Sequence, residues 1–325
     1  MKRFRIPRRQ KLFAVLPTML TLGNAVCGFG AITFAAKVGL AERMGWGRDN
    51  TECLWIAAVL IFLAMVFDML DGRAARWAKQ TSQFGAELDS LCDAISFGVA
   101  PAVILVKFST DAHPAMPVPA ARLLWAIAVL FVVCAILRLA RFNVETDDED
   151  THQFFTGLPS PAAAGTVASF MIANPEIQDL ARPLVGSAST LERVTHVMAT
   201  YLLTGIYYLV PLVALACACL MVSRIRYSHV FNQLFRRRRK FQEILSLLAG
   251  LALVFIVGWL AVPLILCIFA FGSPVRAGWS AIGRWRLGAA STAAAPSAGP
   301  LPSDSNGHPS TEGRPTVLDP LDRPD

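Results

Sequence analysis

Long apolar runs, broken by short polar intervals marked with Gly and Pro, dominate the chain between residues 16 and 273. Leu54–Val66 and Leu123–Ile136 are typical. A membrane-crossing helix needs roughly 20 mainly apolar residues, and several runs reach that length. The pattern predicts spans near 18–37, 53–77, 85–107, 120–140, 157–174 and 197–222. A last apolar stretch covers about 244–273. It reads as one long tilted helix or as two short ones meeting near Gly258 and Pro263. The basic residues Arg276, Arg284 and Arg286 beyond it favour the hairpin, which returns the C-terminus to the cytoplasmic side. The fold class is all-α: a polytopic membrane helix bundle with a six-helix core plus one or two C-terminal helices.

Composition supports lipid as the solvent. Hydrophobic residues make up 54% of the chain and charged residues 16%, against about 25% charged in soluble domains. The net charge of +7 gathers beside apolar runs, at Lys2–Lys11, Arg138–Arg141, Arg224–Arg226 and Arg236–Lys240. Anionic membrane lipids and the positive-inside rule account for these clusters. No recognition motif accompanies them, so nucleic acid is not an expected partner.

The same bias orients the chain. The N-terminus, the 77–84 turn, the 138–152 loop and the 223–243 loop are expected to be cytoplasmic, and the expected location is a bacterial inner membrane. The N-terminal segment resembles the charged start of a signal peptide but lacks a small-residue cleavage site, so it reads as the flank of a retained span. The expected organisation is a basic cytoplasmic N-terminus (1–15), a membrane core (16–226), a basic loop with C-terminal membrane helices (227–287) and a disordered tail (288–325) rich in Ala, Pro, Ser and Gly. The seven Cys fall mostly inside apolar runs. Their spacing suggests neither a disulfide framework nor a zinc site.

Ionisable residues in apolar spans are costly and mark functional sites. Asp68 and Asp71 end the second span, three residues apart on one helix face. Gly72, Ala75 and Arg76 continue that face. Gly85, Asp89 and Asp93 form a stripe at intervals of four on the third span. The short turn near Lys79–Ser82 makes the two helices antiparallel neighbours, so four carboxylates converge near the cytoplasmic boundary. Like charges so confined repel one another, and divalent cations relieve the conflict. All-oxygen donors suit Mg²⁺, Mn²⁺ or Ca²⁺. Two such ions can clamp a phosphoryl group for in-line displacement. Gly72 and Gly85 leave room for a nucleotide to approach the backbone, and Arg76 offers a planar fork for a diphosphate. The competing reading, acids that cap helix ends or pair with Arg73, Arg76 and Lys79, leaves the repeated spacing unexplained.

The string Asp68-x2-Asp71-Gly72-x2-Ala75-Arg76-x8-Gly85-x3-Asp89-x3-Asp93 resembles the full signature of the CDP-alcohol phosphatidyltransferase family. Other segments resemble the membrane-embedded phosphatidylserine synthases within it. They are Leu16–Gly28, Arg138–Asn143, Gly157–Ala163 and Met221–Ser223. Thr18 departs from this pattern, in which Asn is common.

The resemblance implies a homodimer in which CDP-diacylglycerol meets L-serine. It implies a pair of Mg²⁺ or Mn²⁺ ions held by Asp68, Asp71, Asp89 and Asp93, with Asp93 also the general base. Gly72, Ala75, Arg76, Gly85, Thr21 and Asn24 are the expected nucleotide and diphosphate contacts. Arg138, Arg141 and Asn143 are the expected serine contacts. Rival readings are a family member using glycerol 3-phosphate, an inositol phosphate or choline, and, from another class, a divalent-cation transporter. A transporter needs a path across the membrane, whereas these acids sit near one face.

Overall fold

The computed structural model describes residues 8–39, 49–78, 83–146, 157–182, 190–223, 248 and 258–275. These are helical almost throughout and contain no strand. Helix α1 covers Arg8–Lys37, α2 Asn50–Ala78, α3 Gln83–Ala112 and α4 Val118–Thr146. Next come α5, Ser160–Leu180, α6, Thr190–Val222, and α7, Gly258–Val275. All belong to one compact unit, Met1–Trp279. The basic N-terminal residues before Arg8, the Lys79–Ser82 turn, the Asp147–Asp150 run, Arg236–Lys240 and the tail at 288–325 lie outside the described residues.

Among the described residues, six helical segments are long and apolar enough to cross a bilayer: Leu16–Lys37, Asn50–Ala74, Gln83–Ala112, Val118–Val144, Glu192–Val222 and Gly258–Val275. The chain is an all-α, multi-pass membrane protein. The span expected near 157–174 is realised as α5, which is less apolar than these six. Its position explains why. Ala163, Ala164, Thr166, Ala168, Ser169, Ala173 and Asn174 are all shut inside the bundle. A helix wrapped by other helices has no lipid to satisfy, so its surface is chosen for close packing. The reverse holds on α4 and α6, where Leu123, Val129, Val133, Val197, Met198 and Leu212 are exposed as a lipid-facing coat.

Lipid tails are as apolar as Leu, so burial from water does not drive these helices together. Close van der Waals packing does, and small residues permit it. Ala31, Ala35, Ala57, Ala58 and Ala64 line the inner faces of α1 and α2 with no exposure. On α5, a Cβ at Gly165 would stand 2.7 Å from Met65 Cε. Phe97, Phe108 and Phe131 fill the centre. Cys27, Cys53, Cys92, Cys134 and Cys217 are buried thiols without disulfides, in keeping with packing roles.

Two features position the site. The first is in α3, which is α-helical over Gln83–Asp93, π-helical over Ala94–Val99 and α-helical again from Ala100 to Ala112. A π turn inserts an extra residue and shifts the helical phase of the residues beyond it. It begins directly after Asp93 and turns Ser96, Phe97 and Gly98 inward. The second is the turn before α5. Gly157 has φ 90°, and a Cβ there would lie 2.5 Å from Met221 O. Leu158 N donates to Leu220 O at 3.0 Å. The start of α5 is thereby clipped to the end of α6.

At the opposite ends of the helices, Asn50 Nδ2 donates to Asp111 Oδ1 at 2.8 Å and Thr51 Oγ1 donates to Gln178 Oε1 at 2.7 Å. These bonds tie α2 to α3 and α5. In the last apolar stretch, Gly258 has φ 66° and opens a 3-10 turn before the helix over 261–275. Glu176 of α5 accepts from Trp259 N at 3.0 Å. Whether one or two helices fill this stretch turns on residues 249–257, which lie outside the described ones.

Candidate active site

Three of the four signature acids meet. Asp68 and Asp71 lie one turn apart on α2, and Asp89 faces them from α3. One carboxylate oxygen from each lies within 4.8 Å of the other two. Asp71 is 4% exposed. Asp71 Oδ2 and Asp89 Oδ1 are buried and have no hydrogen-bond partner. Buried anionic oxygens left unpaired are costly, and three carboxylates so close together repel. A hard divalent cation fits this donor set, which is oxygen only. Asp68, Asp71 and Asp89 are the residues that could hold it.

Asp93 lies outside the group whose oxygens all come within 4.8 Å, yet it is near enough to Asp68, Asp89 and Asp71 to feel their charges. It lies one turn further along α3, is 8% exposed, and its Oδ1 accepts a hydrogen bond from Asn24 Nδ2 at 2.9 Å. Asn24 is fully buried on α1. Its own carbonyl accepts from Ser96 Oγ at 3.0 Å, inside the π segment. A Cβ at Gly28 would strike Ser96 Oγ and would lie 2.7 Å from Ser96 Cα. The glycine therefore lets α1 press against the π turn, and the π turn brings Ser96 under Asn24. The Asn24 amide nitrogen, on a residue expected to touch nucleotide, is engaged by Asp93, while its Oδ1 is buried with no hydrogen-bond partner. Thr21 donates to Pro17 O at 3.1 Å and also reaches Asp71.

Arg138 approaches from α4. Its Nη1 donates to Ser160 Oγ at 2.7 Å. It is near enough to Asp93 and Asp68 to feel both charges, yet it forms no ion pair with either among the described residues. Its Nε is buried without a partner. Arg141, one turn on, is half-buried. Asn143 and Ser90 share hydrogen bonds at 3.0 and 3.2 Å, which tie α4 to α3. Of the expected acceptor residues, Arg138 thus borders the acids, while Asn143 bonds to α3 at Ser90.

Of the residues expected to contact nucleotide, Gly72 is exposed, and a Cβ there would meet nothing within 4 Å. Gly85 sits in the first turn of α3, half-buried. Ala75 and Arg76 continue α2, but their side chains lie outside the described residues.

Sequence reasoning missed Ser96, Ser90 and Ser160. A lone Ser in an apolar span carries no spacing signal. Ser160 at least lay inside Gly157–Ala163, whose other unusual residue, Gly157, serves the turn that presents it.

A model of the CDP-alcohol phosphatidyltransferase family matches residues 14–200. Among curated proteins, the chain is 35% identical over 161 residues to a CDP-diacylglycerol–serine O-phosphatidyltransferase of Mycobacterium tuberculosis. That match covers 48% of this chain and 49% of the relative. It is 42% identical over 154 residues to the protein of the same name from Saccharomyces cerevisiae, covering 46% and 50%. It is 36% identical over 162 residues to the archaetidylserine synthase of Methanothermobacter thermautotrophicus, covering 49% and 59%. The chain thus spans about half the length of the curated relatives it matches.

Proposed function

The chain belongs to the CDP-alcohol phosphatidyltransferase family, and from that premise we propose that it transfers the phosphatidyl group of CDP-diacylglycerol to the hydroxyl of L-serine, forming phosphatidylserine and CMP. The observation that carries this reading is the oxygen-only trio of Asp68, Asp71 and Asp89, flanked by a fourth carboxylate and an arginine. Relatives from bacteria and yeast named for the serine reaction support the acceptor.

Divalent ions, Mg²⁺ or Mn²⁺ and two per site, would be held by these acids and would supply charge neutralisation for the diphosphate and for departing CMP. Gly72, Ala75, Arg76, Gly85 and Thr21 would border the nucleotide. Gly72 suits this role because the space beside it is open.

The serine oxygen attacks the lipid-side phosphorus, and the bond from that phosphorus to the oxygen of the CMP phosphate breaks. Asp93 takes the serine hydroxyl proton. The base role suits Asp93 because its Oδ1 is engaged by Asn24, which leaves Oδ2 for the proton. Arg138, with Arg141 and Asn143 nearby, would bind the serine carboxylate, which is costly to bury unpaired. The acyl chains remain in lipid beside the helices.

The site lies where α2, α4 and α6 end and where α3 and α5 begin. Arg73, Arg138 and Arg141 share that end, which supports a site facing the cytoplasm across a bacterial inner membrane. A homodimer is proposed from the family resemblance. The test is CMP release by purified protein given CDP-diacylglycerol, a divalent metal and a panel of alcohols. Strong preference for serine is expected. Preference for glycerol 3-phosphate or an inositol phosphate would reassign the acceptor.

A further inference from the structure

We infer that Ser160 is a positioning residue that holds the Arg138 guanidinium off the neighbouring acids, so that its fork stays available for the carboxylate of the acceptor. This rests on the proposed function and adds to it a determinant of acceptor selectivity.

An arginine beside two carboxylates in a low-dielectric site should collapse onto one of them, because the charge-assisted pair is strong and often bidentate. Arg138 does not. It feels Asp93 and Asp68, but its one described hydrogen bond goes to a neutral hydroxyl, Ser160 Oγ, at 2.7 Å. Its Nε is buried with no partner. A guanidinium has five N–H groups in a fixed plane and accepts nothing. Anchoring one corner therefore sets the direction of the others. The unpaired, buried Nε is a donor waiting for an acceptor atom, and the acid trio with its base lies alongside.

The anchor is itself rigid. Ser160 is fully buried in the first turn of α5. Pro159 before it has φ −57° and ψ 136°, Leu158 is bonded to Leu220 O, and Gly157 lies against Met221 O. Ser160 cannot follow Arg138 toward the acids without breaking the clip between α5 and α6. A hydroxyl of merely structural use in a first turn would serve a nearby backbone group instead.

The test compares L-serine with ethanolamine, which has the same hydroxyl and amine but no carboxylate. It reads kcat/KM for each, with ethanolamine as acceptor or as competitive inhibitor. Ser160→Ala is expected to lower the preference for serine roughly tenfold to a hundredfold, the size of one lost charge-assisted hydrogen bond. KM for CDP-diacylglycerol should not change. Ser160→Thr, which retains the hydroxyl, should recover most of the preference. Arg138→Ala should lose the preference alone, and adding Ser160→Ala to it should lose nothing more. Equal loss toward both acceptors, or losses that multiply in the double variant, would overturn the positioning role. A parent enzyme indifferent to the carboxylate would overturn the proposed function and this inference with it. A discriminating parent whose Ser160→Ala variant keeps its preference would overturn this inference alone.

Discussion

Asn24 Nδ2 donates to Asp93 Oδ1 at 2.9 Å, joining α1 to α3 at a point closed to solvent. The bond gives the first helix a part in the chemistry proposed for the third. Ser96, three residues beyond Asp93, donates to the backbone carbonyl of Asn24. The Asn24 amide engages one carboxylate without adding a charge.

Asn24 separates two roles by kinetics. If it orients the base, Asn24→Ala lowers kcat by about 10- to 100-fold, the cost of one hydrogen bond to a charged group. KM for CDP-diacylglycerol then stays near that of the parent. Asn24→Asp should be worse, because it sets a second anion against Asp93. A rise in KM for the lipid substrate with kcat preserved would return Asn24 to the nucleotide-contact role.

The acid trio predicts metal dependence. Chelation should abolish CMP release, and Mg²⁺ or Mn²⁺ should restore it. Asp71→Asn and Asp89→Asn keep the side-chain shape and remove a negative charge each. Each should reduce turnover by roughly 10²–10³-fold and weaken metal binding measured by titration calorimetry in detergent. Near-normal turnover in either variant would rule out a metal site built on these oxygens.

Much of this site is legible in the sequence, and the reason is periodicity. Asp68 with Asp71, and Asp89 with Asp93, carry helical spacing that survives in the structure because both helices are regular up to Asp93. Legibility stops where regularity does. The π turn over Ala94–Val99 inserts a residue that no three- or four-residue spacing can announce, and it brings Ser96 to Asn24. The hydrogen bond that Asp93 accepts likewise comes from α1, whose Asn24 is distant in sequence. The spans are readable from apolar length, except that α5 is buried by its neighbours and so needs less apolarity than a lipid-facing helix. Gly157–Ala163 and Met221–Ser223 stand out as separate segments. Their contact, through Leu158 N and Leu220 O, is a tertiary fact that neither segment contains.

The Arg138 fork predicts that charge alone will not suffice. Arg138→Lys keeps the cation but presents a single point of donation in place of a planar pair. KM for serine should rise strongly in Arg138→Ala and stay well above the parent in Arg138→Lys, while KM for CDP-diacylglycerol stays nearly constant. Full recovery by Lys would reduce Arg138 to a counter-charge for Asp68 and Asp93.

The last prediction concerns the turn that delivers Ser160. Gly157 carries two burdens, a left-handed φ of 90° and a Cβ position 2.5 Å from Met221 O. Gly39 carries only the first: its φ is 80°, and a Cβ there would meet nothing within 4 Å. Alanine at either position incurs the backbone strain, about 1–3 kcal/mol. Only at Gly157 must the end of α6 also move, because the obstacle is a backbone carbonyl. Gly157→Ala should therefore lower the thermal midpoint in detergent by more than Gly39→Ala. It should also cut the preference for serine over ethanolamine, since displacing the turn shifts Ser160 away from Arg138. Gly39→Ala should leave that preference intact, its turn lying at the opposite ends of the helices. Equal destabilisation by the two variants would mean that the clip between α5 and α6 yields easily and does not hold the acceptor side of the site.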